Sequence, residues 1–186
     1  QDFELPLSLN LNELSMGQKK KAYMSFALAT GTKYLFMDEP TNGLDIPSKS
    51  QFRKVIANNM TDERMLIIST HQVHDIESLL DHIVILNQNN LLLDASVADI
   101  CEDYSFEYRT PAEMDDTVLY AEPTLQGNAV IAKRKAGSRE TQMNLELLFI
   151  LMKILDPQKK KIMKLINMNK PETLPKYKSF TSLYVT

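Results

Sequence analysis

Cysteine is almost missing from this sequence: Cys101 stands alone among 186 residues, so no disulfide can form within the chain and no cysteine cluster can hold a metal. A reducing setting is the expectation that follows. Glycine is scarce as well. The five glycines are Gly17, Gly31, Gly43, Gly127 and Gly137, and none precedes a lysine, which excludes the G-x-x-x-x-G-K-[ST] loop whose amides cradle phosphates. No run of about 18 apolar residues exists. The greasiest stretch, Leu145 to Leu155, is broken by Glu146 and Lys153, so no membrane-spanning helix is predicted. A basic field is missing too: the formal net charge is -3, and bulk electrostatics give no support to a nucleic-acid partner. The start, Gln1-Asp2-Phe3-Glu4, is acidic where a secretory signal needs a basic region and an apolar stretch, and it lacks an initiator methionine. We therefore expect a truncated chain.

What is present has the balance of a folded protein, with 44% hydrophobic and 24% charged residues, enough for one well-cored domain and a modest appendage. Gln18 to Thr30 contains neither proline nor glycine, and Ala22, Phe26 and Ala29 recur at helical spacing, so a helix is predicted to begin at Ser15 or Gly17 and end near Gly31. Tyr34-Leu35-Phe36-Met37 and Met65-Leu66-Ile67-Ile68 are continuous apolar runs closed by polar residues, the pattern of buried parallel strands. Between them Ile46 to Met60 supports a helix with Pro47 in its first turn, giving a βαβ crossover. A further helix is predicted from Val73 to Leu80, then a hairpin from Ile83–Leu86 and Leu91–Ala95 around Asn87-Gln88-Asn89-Asn90. Residues 103–156 read as a small α+β appendage with strands near 104–108, 118–121 and 129–132 and an amphipathic helix over 145–155. The remainder, 157–186, reads as a short helix after Lys159-Lys160-Lys161 and an extended tail. In open sheets of this kind chemistry gathers at the carboxyl ends of the strands, where Asp38, Glu39 and His71 fall.

The strand Tyr34 to Met37 followed by Asp38-Glu39 has the form of a Walker B element, in which the first carboxylate serves a nucleotide-bound magnesium and the second orients or deprotonates the attacking water. The pair alone could equally be the polar end of a strand. The longer string Asp38-Glu39-Pro40-Thr41-Asn42-Gly43-Leu44-Asp45 resembles the Walker B and D-loop of ATP-binding cassette proteins. Leu14-Ser15-Met16-Gly17-Gln18 resembles the signature motif of that family, with Met16 where glycine is usual. Ile67-Ile68-Ser69-Thr70-His71 resembles its H-loop. The resemblance covers about residues 8–100, with the motifs in the family's order.

Several things are implied by that resemblance. The fold is expected to be α/β, a partial P-loop NTPase core with parallel strands and helices over 1–102, followed by the α+β appendage. ATP and Mg2+ are the implied cofactors: Asp38 holds the metal through water, Glu39 and His71 are catalytic, and Ser15, Met16, Gly17, Gln18 and Asp45 bind ATP. A serine hydroxyl, a glycine amide and a helix N-terminus suit a γ-phosphate. In the family two nucleotide-binding domains face each other, so Ser15, Gly17 and Gln18 serve the partner's nucleotide and Asp45 lies at the seam.

Implied partners are therefore a second nucleotide-binding domain, in a homo- or heterodimer, and a transmembrane permease, with no nucleic acid. The implied location is cytoplasmic, peripheral on the inner face of the cell membrane. The parent protein is expected to be a transport ATPase, an exporter by its appendage, and this chain alone to be inactive because the P-loop is missing. The competing reading is a soluble family member acting on ribosomes or nucleic acid; Gly43 and the string from Thr70 to Glu77 resemble transporters instead. His74 and His82 are expected to be structural.

Overall fold

A computed structural model of the chain describes residues 3, 5, 8, 10, 12–87, 90–135, 137–155 and 180–184. It is a mixed α/β protein with small parallel and antiparallel sheets and, among the described residues, four α-helices. The chain divides into two compact units, Gln1–Leu80 with Lys176–Val185, and Asp81–Pro175.

In the first unit α1 (Met16–Ala29) leads into β1 (Tyr34–Asp38), α2 (Ile46–Asn59) and β2 (Met65–Ser69). Both helices start where the side-chain chemistry predicts. Ser15 and Gln18 form a capping box on α1, and Asp45 caps α2 with Pro47 inside its first turn. β1 and β2 pair in parallel from Tyr34 opposite Met65 to Asp38 opposite Ser69, which aligns the two polar strand ends. Residues 180–184 form β8 (Phe180–Tyr184), which pairs in parallel with the other edge of β2.

Met24 and Leu28 from α1, Phe52, Val55 and Ile56 from α2, Met37 from β1 and Leu66 and Ile68 from β2 build one core. Met37 stands opposite Ile68 in the register, so both helices pack on the same face of the sheet. This corrects one expectation. β1 is not buried on both faces: Leu35 and Met37 turn inward while Tyr34 and Phe36 stay exposed, because no second helical layer covers them among the described residues.

The helix predicted from Val73 to Leu80 is a second correction. It is two single 3-10 turns, Val73–Asp75 and Glu77–Leu79, separated by Ile76 at φ -121°. Gln72 supplies no side-chain cap, eight residues are too few to nucleate a helix unaided, and Ile76 is drawn fully into the core. Lys49 Nζ holds the Asp75 carboxylate at 2.8 Å and Arg53 donates to the Asp75 carbonyl at 3.1 Å, which fixes the turns to α2.

The second unit opens with the predicted hairpin, β3 (His82–Asn87) against β4 (Asn90–Ser96). A short helix that the sequence pattern did not reveal, α3 (Val97–Asp103), follows, capped by Ser96. β5 (Tyr104–Arg109), β6 (Val118–Thr124) and β7 (Gly127–Lys133) form an antiparallel sheet in the order β5-β7-β6, and α4 (Leu145–Ile154) is capped by Asn144. The turn into β7 requires Gly127: its φ is +122°, and a Cβ there would meet the Arg109 carbonyl oxygen at 3.1 Å. The core of this unit is Val130, Ile131 and Ala132 with Leu145, Leu148 and Leu151. His82 is buried and paired with Asp94 at 2.6 Å, a structural place, while His74 is exposed. The helix predicted after Lys159 to Lys161 lies outside the described residues.

Candidate active site

Parallel pairing of β1 and β2 puts Asp38, Glu39, Ser69, Thr70 and His71 at one sheet end. Glu39 is the centre of this group. Its Oε2 accepts from the Thr70 hydroxyl at 2.8 Å, and its Oε1 accepts from the His71 backbone N–H at 2.9 Å and lies 2.5 Å from His71 Nδ1. Partial burial works to raise the pKa of Glu39, but the bonds from His71 and Thr70 together outweigh it and hold the carboxyl below its ordinary value. Glu39 is thus kept ionised, as a group that accepts a proton must be.

The backbone at Glu39 is unusual. Its φ is +43°, the only positive value at a non-glycine among the described residues, and such residues carry local strain. The surroundings compensate: Glu39 N–H donates to the Ser69 carbonyl at 2.8 Å, and Lys20 Nζ from α1 donates to the Glu39 carbonyl at 3.0 Å.

Asp38 is exposed, and one of its oxygens accepts from the Ser69 hydroxyl. Its other oxygen makes no hydrogen bond among the described residues. That donor suits magnesium, which takes one or two carboxylates and completes its shell with water and phosphate oxygens. Among the described residues no three His, Cys, Asp or Glu side chains converge to cage an ion.

The remaining predicted site residues stand at the starts of α1 and α2. In the capping box at α1, Ser15 Oγ accepts from Gln18 N–H at 3.3 Å and Gln18 Oε1 accepts from Ser15 N–H at 3.0 Å. Met16 and Gly17 begin the helix, and their backbone N–H groups have no hydrogen-bond acceptor among the described residues. The Met16 side chain is 74% exposed. No hydrogen bond among the described residues joins Ser15, Met16, Gly17 or Gln18 to Asp38, Glu39 or His71. Asp45 accepts from Ser48 N–H at 2.9 Å, and its bonds to Ser48 lower its pKa.

Sequence reasoning missed Thr70 and Lys20 as members of the site. Thr70 is 2% exposed, and its hydroxyl also accepts from Gln72 N–H at 3.0 Å. A threonine beside a histidine at the end of a buried strand was a usable signal. Lys20 had none, since it looks like the middle of a solvated basic run.

No family model matches the chain. Individual proteins do. The zinc uptake system ATP-binding protein of Listeria monocytogenes is 31% identical over 91 residues, which are 48% of this chain and 35% of that protein. The energy-coupling factor transporter ATP-binding protein of Ligilactobacillus salivarius is 32% identical over 92 residues, 49% of this chain and 32% of that protein. An uncharacterized ABC transporter ATP-binding protein of Methanocaldococcus jannaschii is 28% identical over 145 residues, 75% of this chain and 53% of that protein. The chain carries part of an ATP-binding cassette ATPase domain. It spans about a third of the length of the first two relatives and about half of the third. Within the ABC ATPase domain, the cluster around Glu39 occupies the strand-end position where the chemistry of open parallel sheets gathers. Among the described residues no helix is long and apolar enough to cross a membrane.

Proposed function

We propose that this chain is the acid-and-histidine half of an ATP-hydrolysing subunit that drives a membrane transporter. The observation that carries the reading is the convergence on Glu39: a carboxylate kept ionised by His71 and Thr70, next to an exposed Asp38, one of whose oxygens makes no hydrogen bond among the described residues. Bound ATP·Mg2+ supplies the phosphoryl group and neutralises its charge. With these bound, Glu39 would accept the proton of the attacking water, His71 would hold that water and the γ-phosphate side of the site, and Asp38 would help hold the metal. The sheet of β1 and β2 forms part of a P-loop NTPase core, and the phosphate cradle comes from a segment with a P-loop that this chain does not contain. Alone, the chain binds nucleotide weakly and does not turn it over.

On this reading Ser15, Met16, Gly17 and Gln18 offer the N-terminus of α1 to a nucleotide held by a second nucleotide-binding domain, with Asp45 at the seam. The subunit docks on a permease from the cytoplasmic side of the membrane. The appendage favours export. Uptake is the second reading, favoured by the name of the Listeria relative, a zinc uptake ATP-binding protein. Action on ribosomes or nucleic acid gains nothing from a net charge of -3.

The test is ATP turnover by a polypeptide that joins this chain to a P-loop segment, measured with membranes and with ribosomes. Turnover stimulated by the membrane fraction supports the transporter reading. Stimulation by ribosomes or nucleic acid alone contradicts it.

A further inference from the structure

Lys20 links the helix that carries the signature-like cap to the turn that carries Glu39's backbone. It sits two residues beyond the Ser15–Gln18 box, half-buried, with its ammonium 3.0 Å from the Glu39 carbonyl oxygen and 2.5 Å from that of Asn42. Among the described residues both of its partners are main-chain carbonyls; no carboxylate neutralises it. A lysine placed for solubility alone does not withdraw into a turn to bind two carbonyls three residues apart.

The turn needs such a clamp. Glu39 holds φ +43° and Gly43 φ +75°, and Thr41 between them is fully buried with its hydroxyl unpartnered among the described residues. Glycine tolerates a positive φ and glutamate resists it. Left to itself, Glu39 relaxes to negative φ, which rotates its Cα–Cβ bond and takes the carboxylate away from Thr70 and His71. On one side that rotation is restrained by the N–H bond to Ser69; on the other the Glu39 carbonyl accepts from Asn42 N–H at 3.3 Å, a long bond, and from Lys20 at 3.0 Å.

We propose that Lys20 is a positioning residue: by binding the Glu39 and Asn42 carbonyls it keeps Glu39 in its strained backbone conformation and so keeps the carboxylate on His71 and Thr70. The role rests on the reading of Glu39 as the water-activating group, and it ties that group mechanically to α1. Whatever engages the N-terminus of α1 acts on a helix that is bonded to the backbone of Glu39.

Two measurements test it. The first needs no nucleotide: amide hydrogen exchange in this chain, comparing Lys20→Met with Lys20→Arg. The His71 amide, which donates to Glu39 Oε1, is expected to exchange about tenfold faster in Lys20→Met, the equivalent of one lost hydrogen bond, while the amides of Ile67 and Ile68 in β2 stay unchanged. Lys20→Arg, which keeps the positive charge and has N–H donors enough for both carbonyls, is expected to keep the original His71 rate. An unchanged His71 amide in Lys20→Met overturns the proposal, and so does a quickening shared equally by β2, which is general loosening.

The second measurement uses the P-loop-bearing polypeptide. Lys20→Met is expected to lower kcat about tenfold or more with KM little changed, as for a displaced catalytic group. If that polypeptide shows no turnover in any form, the ATPase reading fails while the exchange experiment still decides the place of Lys20.

Discussion

Nδ1 of His71 lies 2.5 Å from Oε1 of Glu39, and the backbone N–H of the same histidine donates to the same oxygen at 2.9 Å. One carboxylate oxygen is thus occupied by His71, and the other by the hydroxyl of Thr70.

Thr70→Val tests how far this buried hydroxyl supports Glu39. The substitution keeps the shape but removes a donor to Glu39 and an acceptor for Gln72 N–H, and we expect a loss of about 1–3 kcal/mol in unfolding free energy. The pH dependence follows from the direction of the Glu39 shift. Its folded-state value is lowered, so its contribution to stability is present above the unfolded carboxyl value and is lost as pH falls through the folded one. In Thr70→Val this acid-sensitive part is expected to shrink, read as a flatter urea midpoint against pH below the ordinary glutamate range.

Asp115 gives the same kind of prediction in the second unit, with no part in the site. Its carboxylate accepts from the Thr117 hydroxyl and lies 2.9 Å from both Lys135 Nζ and Arg109 Nη1. These bonds, Thr117 first and Lys135 next, hold its pKa far below the usual carboxylate range. Stability from Asp115 is therefore retained above the unfolded aspartate value and lost only at strongly acid pH. Asp115→Asn is expected to remove that acid transition from the β5-β7-β6 unit, followed by near-ultraviolet circular dichroism against pH.

Ser15 has two roles that substitutions can separate. As the cap of α1, its loss in Ser15→Ala is expected to cost about 1 kcal/mol of stability. Ser15→Asp keeps a capping oxygen and suits the helix dipole, so stability is expected to hold, but a carboxylate there repels a phosphate. Nucleotide-driven pairing of the P-loop-bearing polypeptide, measured by light scattering, is expected to fail in Ser15→Asp. Pairing that survives removes Ser15 from the nucleotide's surroundings.

Much of this was legible because the local rules agree with one another. A stretch free of proline and glycine after Ser15, Pro47 placed for a first helical turn, and two apolar runs ending in polar residues announce α1, α2, β1 and β2, and put Asp38, Glu39 and His71 at strand ends. The failures have physical causes. Val73 to Leu80 has helical composition, but the missing cap at Gln72 and the pull of Ile76 into the core divide it into two turns. Exposure of Tyr34 and Phe36 depends on which layers exist above the sheet, and a short apolar run cannot report that. The short helix α3 lies between β4 and β5 with one buried residue, Ile100, too little periodicity to see. Lys20 was invisible because a contact between an ammonium and two carbonyls of a distant turn leaves no pattern in composition.

Glu39 is proposed to activate water for ATP hydrolysis, and single-turnover hydrolysis by the P-loop-bearing polypeptide, comparing the unsubstituted protein with its Glu39→Gln variant, decides whether it does. Loss of the general base is expected to slow phosphate release by about 10²-fold or more while ATP remains bound and the dimer accumulates. Release at the unsubstituted rate would contradict the account.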